Sequence, residues 1–111
     1  MHNFKELKIW QSGIEIAKTI YKLTSHFPQE EKYGLISQIR RCSISIPSNI
    51  AEGSGRSSAK DFSHFLSISL SSSFELETQL ILASELKFLK EDDYNSITEQ
   101  LTVCKDDLSI P

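Results

Sequence analysis

The sequence predicts an all-α protein, a single antiparallel four-helix bundle in up-down-up-down order that spans residues 1–111. Apolar residues recur every three or four positions along four separate segments, which is the spacing of helices with a buried face. The chain contains only four glycines and three prolines, too few for a turn-rich β-sandwich. Its length suits one hydrophobic core, and short connections favour antiparallel neighbours.

The first helix is expected to run from Phe4 to Ser25 and to end before Pro28, because the residue preceding a proline is pushed out of helical geometry. Two offset apolar stripes follow it, of which the first is interpreted as buried. They comprise Leu7, Trp10, Ile14, Ala17 and Tyr21, and then Ile9, Gly13, Ile16, Ile20 and Leu23. One bundle consumes about one stripe per helix, so the surplus suggests packing against a second subunit.

The second helix is expected to begin near Glu30, and its single stripe consists of Leu35, Ile39, Cys42, Ile46 and Ile50. Pro47 lies inside this stripe, lacks an N–H group and crowds the preceding turn, so the helix must kink or break there. The stripe continues beyond the proline, which favours a kink, and the spacing of Asn49 and Glu52 would allow a restart. The alternative is a short strand over residues 42–46.

The third helix follows a predicted loop at Gly53–Gly55, where glycine would supply a left-handed helix end. Ser58 and Asp61 have the spacing of a capping box, so the helix is expected to start there and to reach about Leu89. It carries two neighbouring stripes, formed by Phe62, Leu66, Ser69, Ser73, Leu76, Leu80 and Ala83, and by Phe65, Ile68, Ser72, Gln79, Leu82 and Leu86. About 30 helical residues span roughly 45 Å, which predicts an elongated bundle.

The fourth helix is expected to start at Asp92 or Asp93, with one narrow seam of Tyr94, Ile97, Leu101, Cys104 and Leu108. Cys104 and Cys42, the two cysteines of the chain, both sit in apolar patterns. This placement favours buried, reduced thiols over a disulfide framework. With no signal-peptide core and no apolar run of about 20 residues, the expected compartment is the cytoplasm.

Serine is concentrated in the middle of the chain, where 12 of the 18 serines fall between Ser43 and Ser73. Serine is a mediocre helix former, so this segment reads either as a disordered tract or as closely packed helices. The regularly spaced isoleucine, leucine and phenylalanine residues among the serines favour packed helices, because small residues let helices approach closely.

Charge is unevenly distributed along the chain, although the net charge is only −3. Residues 1–60 carry nine basic and five acidic side chains, whereas residues 61–111 carry three basic and ten acidic ones. This asymmetry either reflects differently solvated helix faces or orients subunits and a basic patch.

No catalytic or metal-binding constellation is evident. His2, His26 and His64 lack ligand partners at helical spacing, and a metal site needs three or four convergent ligands. The Glu-x-x-His motif of di-iron bundles does not occur in the sequence. We therefore expect no enzymatic activity, no metal, no cofactor and no small-molecule substrate.

Four basic residues are the candidate nucleic-acid contacts: Arg40, Arg41, Arg56 and Lys60. The adjacent pair Arg40–Arg41 either contacts phosphate or forms an ion pair at the core edge with Glu52, Glu75 or Glu77. The segment from Gly53 to Ser57 either helps to hold a phosphate beside Arg56 and Lys60 or only separates two helices.

The run from Ser45 to Gly53, Ser-Ile-Pro-Ser-Asn-Ile-Ala-Glu-Gly, resembles a known family of four-helix bundle proteins. Their reading frames lie inside intervening sequences of bacterial large-subunit ribosomal RNA genes. The resemblance covers nearly the whole chain and also includes Phe4, Leu7, Trp10, Gln11, Phe27-Pro28, Glu31, Tyr33-Gly34-Leu35, Gln38, Arg40-Arg41, Lys60, Phe62, Phe65-Leu66 and the run from Glu75 to Leu80.

The resemblance implies a ring-shaped homopentamer of four-helix bundles without known enzymatic activity. A relative, the accessory protein of diversity-generating retroelements, is a basic pentamer that binds nucleic acid and a reverse transcriptase, whereas this chain has a sequence pI near 5.6. The predicted function is a non-enzymatic oligomeric bundle with a binding or assembly role, including binding of RNA or DNA. The alternative is a protein-interaction adaptor without nucleic-acid contact.

Overall fold

The computed structural model describes residues 3–109 and is an all-α four-helix bundle, as predicted. The α-helices are α1 (Lys8–Thr24), α2 (Leu35–Ser54), α3 (Ala59–Glu85) and α4 (Glu91–Ser109). Two 3-10 helices, Phe4–Glu6 and Gln29–Glu31, precede α1 and α2. The molecule measures 43 × 25 × 20 Å, which agrees with the elongated shape expected from the long third helix. His2 lies outside the described residues.

The core is built from one apolar stripe of each helix. The predicted stripe of α2, the seam of α4 and the first stripe of α3 supply most of it, including Ile39, Ile46, Leu76, Leu80 and Leu101. In α1 the assignment of the stripes was wrong. Gly13, Ile16 and Ile20 of the second stripe are buried, whereas the first stripe is half-buried and ends in an exposed Tyr21.

Several helix boundaries differ from the predicted ones. A 3-10 turn and an extended Leu7 precede α1, so this helix begins at Lys8 rather than at Phe4. Near Glu30 the chain forms only a 3-10 turn, and α2 begins at Leu35. The third helix ends at Glu85, short of Leu89. In contrast, the predicted start of α3 is confirmed, because the Ser58 hydroxyl accepts a hydrogen bond from the Asp61 N–H (3.1 Å).

Helix α2 continues through Pro47, so neither a break nor a strand over residues 42–46 occurs, and the kink angle remains a prediction. Asn49 does not cap a restarted helix. Its amide instead donates to the carbonyl (2.8 Å) and hydroxyl (3.0 Å) oxygens of Ser45 one turn earlier. The predicted left-handed loop is also wrong, because Gly53 lies inside α2 and Gly55 has a φ of −84°.

Serine residues mediate a close contact between α2 and α3. The Ser69 hydroxyl donates to the Ile46 carbonyl (2.9 Å), and the Ser45 and Ser72 hydroxyls are 2.9 Å apart. Residue numbers rise along α2 as they fall along α3, so these contacts pair the two helices in opposite directions. The serine-rich segment therefore forms two helices that pack together through their inward-facing serines, and it is not a disordered tract.

Candidate interaction surfaces

Arg40 is held against α1. Its Nε donates to the Thr24 hydroxyl (2.8 Å), Nη2 donates to the Tyr21 carbonyl (3.3 Å), and the guanidinium carbon lies 4.5 Å from the centre of the Tyr21 ring. These contacts fix the side chain over an aromatic face, an arrangement that suits arginine. No carboxylate among residues 3–109 forms an ion pair with Arg40, so its charge is not neutralised locally.

The other candidate nucleic-acid residues lie on different parts of the surface. Arg41 faces α3 and lies 3.6 Å from the Glu75 carboxylate, which realises the predicted ion pair at the core edge. Arg56 pairs with Glu52 at 3.0 Å and also covers the Phe65 ring. Lys60 is exposed near the start of α3 and forms no ion pair with any residue in the described range.

The four basic residues do not form one cluster. Arg40 and Arg56 are sixteen residues apart on or just beyond α2, a separation of about 24 Å at helical rise. Carboxylates compensate two of the four charges, so a polyanion at those positions would have to displace an existing ion pair.

An exposed apolar surface covers the C-terminal half of α3. Phe74, Ile81, Leu82 and Leu86 are each 42–53% exposed, and together they form the α3 face. Phe74 and Ile81, seven residues apart, form one row on the solvent side of α3, and Leu82 and the C-cap residue Leu86, four residues apart, form a second row beside it. Sequence reasoning missed Phe74 and Ile81, although their seven-residue spacing on the otherwise polar side of the helix was a readable signal.

A second exposed apolar surface, the α1–α2 face, lies where α1 crosses α2. It comprises exposed Tyr21 and Ile44 with half-buried Trp10 and Ile14 of the first α1 stripe. The helices approach closely beneath it, because Gly13 leaves room for Pro47: a Cβ atom on Gly13 would lie 3.2 Å from the proline ring. Each molecule therefore carries two distinct apolar faces.

Each of these faces includes a charge that is not neutralised. Arg40 covers Tyr21 on the α1–α2 face, whereas exposed Glu85 lies one helical turn after Ile81 on the α3 face. Neither forms an ion pair with a described residue. Both faces are thus apolar, and an unpaired arginine on one is matched by an unpaired glutamate on the other.

The two cysteines are free and buried, as predicted. Burial raises the pKa of the Cys42 thiol to about 11, and the neighbouring Glu75 carboxylate adds to this rise. Burial also raises the pKa of Cys104 to about 11, with a smaller contribution from Asp107. A nucleophilic cysteine needs the opposite shift, so neither thiol is activated.

Among the residues described, no three His, Cys, Asp or Glu side chains converge in a way that could hold a metal ion. Within the same range, no helix combines the length and the apolar character needed to cross a membrane. The fold and its surfaces define a class of protein: an all-α four-helix bundle with exposed apolar faces.

The chain belongs to the 23S rRNA-intervening sequence protein family, which it matches over residues 5–109. A similar solved structure is a protein of unknown function from the S23 ribosomal protein family of Bacteroides thetaiotaomicron. The two proteins share 27% sequence identity, and the match covers 90% of this chain and 94% of the other. The structures superpose with a TM-score of 0.81. No functionally curated protein matches the chain. Neither match indicates an enzymatic family.

Proposed function

We propose that this protein is a non-enzymatic assembly protein whose copies bind one another head to tail. The observation that carries the proposal is the presence of two separate exposed apolar faces on one molecule, the α1–α2 face and the α3 face. In a head-to-tail contact, one subunit contributes one patch and its neighbour contributes the other, so each molecule needs two different patches.

The apolar side chains supply a physical reason for association. Exposed large apolar residues that cluster on one helix face are typical of contact surfaces, whereas scattered ones need no explanation. Phe74, Tyr21 and Trp10 add aromatic groups, which are enriched in protein interfaces. Burial of these side chains against a second copy would remove apolar surface from water.

The opposite charges supply a reason for the orientation. Arg40 of one copy and Glu85 of the next would meet across the contact and disfavour like-face pairing, which would bring equal charges together. A ring of five subunits is the specific assembly that the family resemblance implies. The buried, unpaired thiols suit a reducing compartment, so we place this assembly in the bacterial cytoplasm.

Light scattering coupled to size exclusion tests the proposal. We expect a mass of five times the 12.6 kDa of one chain, independent of dilution in the micromolar range. Ile81→Asp should lower the mass by placing a charge in the α3 face, whereas Ser63→Asp, on an exposed polar position of the same helix, should not. A wild-type mass of 12.6 kDa would contradict self-assembly, and a stable dimer would contradict the ring of five.

RNA binding is a second candidate function, supported by the charges of Arg40 and Lys60, which no carboxylate of the described chain neutralises. If Arg40 faces a neighbouring subunit, phosphate contacts would depend on Arg41, Arg56 and Lys60. Anisotropy titrations of a structured RNA at two salt concentrations test this, because phosphate contacts weaken as salt rises. A salt-dependent isotherm supports RNA binding, and no binding at micromolar protein supports the adaptor alternative.

A further inference from the structure

An open cavity of about 750 Å³ lies at the end of the bundle where α1 ends and α3 connects to α4. Half-buried Leu23 and Phe88 and buried Leu89 line its apolar part. Phe88 is held in place by Phe27, whose ring centre lies 5.8 Å away. The volume falls within the range of roughly 300–1,000 Å³ that is usual for small-molecule sites.

Four nitrogen-bearing side chains surround this cavity. Lys22 and His26 come from the end of α1, and Lys87 and Lys90 come from the connection between α3 and α4. None of the four forms an ion pair within the described chain. Glu91 and Asp93 also line the cavity, so three lysines face two carboxylates and the site keeps a positive balance.

The backbone holds Lys87 in an unfavourable conformation at the cavity. Lys87 has a φ of 67°, and the turn is closed by hydrogen bonds from the Lys87 N–H to the Ser84 carbonyl and from the Phe88 N–H to the Ala83 carbonyl, both 3.0 Å. Glycine is the usual residue at such a helix end, because it adopts this conformation without steric cost. A lysine here adds an ammonium group to the cavity at the expense of backbone strain.

We propose that this cavity binds a small phosphorylated molecule of about mononucleotide size. The phosphate contacts Lys22, Lys87 and Lys90, with His26 as a further donor, and the apolar or aromatic part of the ligand packs on Leu23 and Phe88. Glu91 and Asp93 disfavour a second anionic group at the α4 side. The site is separate from both apolar faces, so the proposal does not depend on self-assembly.

Isothermal titration of the full chain with adenosine monophosphate tests the site. Lys22→Gln and Lys87→Gln should each weaken binding about five- to tenfold, as expected for loss of one partly screened cation among three. The matched control is Lys8→Gln, which removes an exposed lysine at the start of α1, the end of that helix away from the cavity. Amide chemical shifts should change for residues 22–26 and 87–90 on titration of the unmodified protein.

Two further probes identify the source of the phosphate. Inorganic phosphate should bind more weakly than adenosine monophosphate, because it leaves Leu23 and Phe88 uncovered. A 5′-phosphorylated RNA oligonucleotide that binds these residues while the mononucleotide does not would overturn the small-molecule assignment. Equal affinity of all three variants, shift changes elsewhere, or inorganic phosphate binding as tightly as the mononucleotide would also overturn the proposal.

Discussion

Lys87 is the only non-glycine residue between positions 3 and 109 with a positive φ, and its backbone strain gives a direct stability prediction. An L-residue in this conformation costs roughly 1–2 kcal/mol. Glycine avoids this cost, but part of the gain is offset because glycine gives the unfolded chain more conformational freedom. Lys87→Gly should therefore raise the free energy of unfolding by about 0.5–1 kcal/mol in urea denaturation. Lys87→Ala keeps a Cβ atom and should give no such gain. Equal stability of both variants would contradict this account.

The buried thiols predict a loss of stability at alkaline pH. The pKa of Cys42 and of Cys104 is raised from 9.0 to about 11, so between these values the folded state holds protons that the unfolded state releases. The free energy of unfolding must then fall as pH rises from about 9 to 11, by roughly 2–3 kcal/mol per thiol at the upper limit.

Urea denaturation at several pH values measures this effect, and the Cys42→Ala/Cys104→Ala double variant provides the control. That variant should start from a lower stability because it leaves cavities, but its stability should depend less steeply on pH. Identical pH slopes for the two proteins would contradict a contribution from the two thiols.

At the scale of the helix, Gly53 allows the end of α2 to lie against α3. A Cβ atom at this position would lie 2.7 Å from the Phe65 Cβ atom and 2.9 Å from Phe62 Cδ1. Gly53→Ala should destabilise the protein by about 1–3 kcal/mol despite the better helix propensity of alanine, because overpacking forces backbone shifts. Gly55→Ala is the matched control, since its Cβ would meet nothing closer than 3.6 Å. Thermal unfolding of both variants decides between packing and propensity.

The helices could be predicted from the sequence because the periodicity of isoleucine and leucine reports burial directly. The choice between the two α1 stripes could not, since both have the same spacing and the close approach of Gly13 to Pro47, on the side of the buried stripe, is not visible in the periodicity. The sequence predicts a turn at Gly53, whereas in the structure this glycine lies inside α2 and allows the helix to approach α3 closely. Turn and packing glycines look alike in a single sequence.

The candidate site residues were harder to predict than the helices, for electrostatic reasons. Sequence spacing placed Arg41 and Arg56 among possible phosphate contacts, but each has a carboxylate partner, one on α3 and one a helical turn earlier. The Arg41–Glu75 pair joins two helices and depends on their relative rotation, which periodicity does not fix, whereas the spacing of Glu52 and Arg56 alone predicts their ion pair. The cations around the end cavity could not be predicted either, because Lys22 and Lys87 are distant in sequence and meet only through the packing of the helices.

At the scale of the whole molecule, the uneven charge along the chain acquires a spatial meaning. The basic first half contributes Arg40 to the α1–α2 face, and the acidic second half contributes Glu85 to the α3 face. If these faces meet in a head-to-tail assembly, the charge asymmetry favours one orientation, while the apolar side chains supply most of the stability.

Charge reversal tests this orientation. Glu85→Arg should raise the dissociation constant between subunits by about tenfold, because it would set two positive charges against each other across the contact. Arg40→Glu should weaken assembly as well, and part of its effect is structural, since it also removes the contacts with Thr24 and Tyr21.

The double variant restores opposite charges across the contact and should assemble more tightly than either single variant. Structural damage alone cannot produce this recovery. Glu99→Arg, an exposed reversal on α4 outside both faces, should leave assembly unchanged. If sedimentation measurements find no recovery in the double variant, the pairing of Arg40 with Glu85 is ruled out. The apolar contact is tested separately by Ile81→Asp.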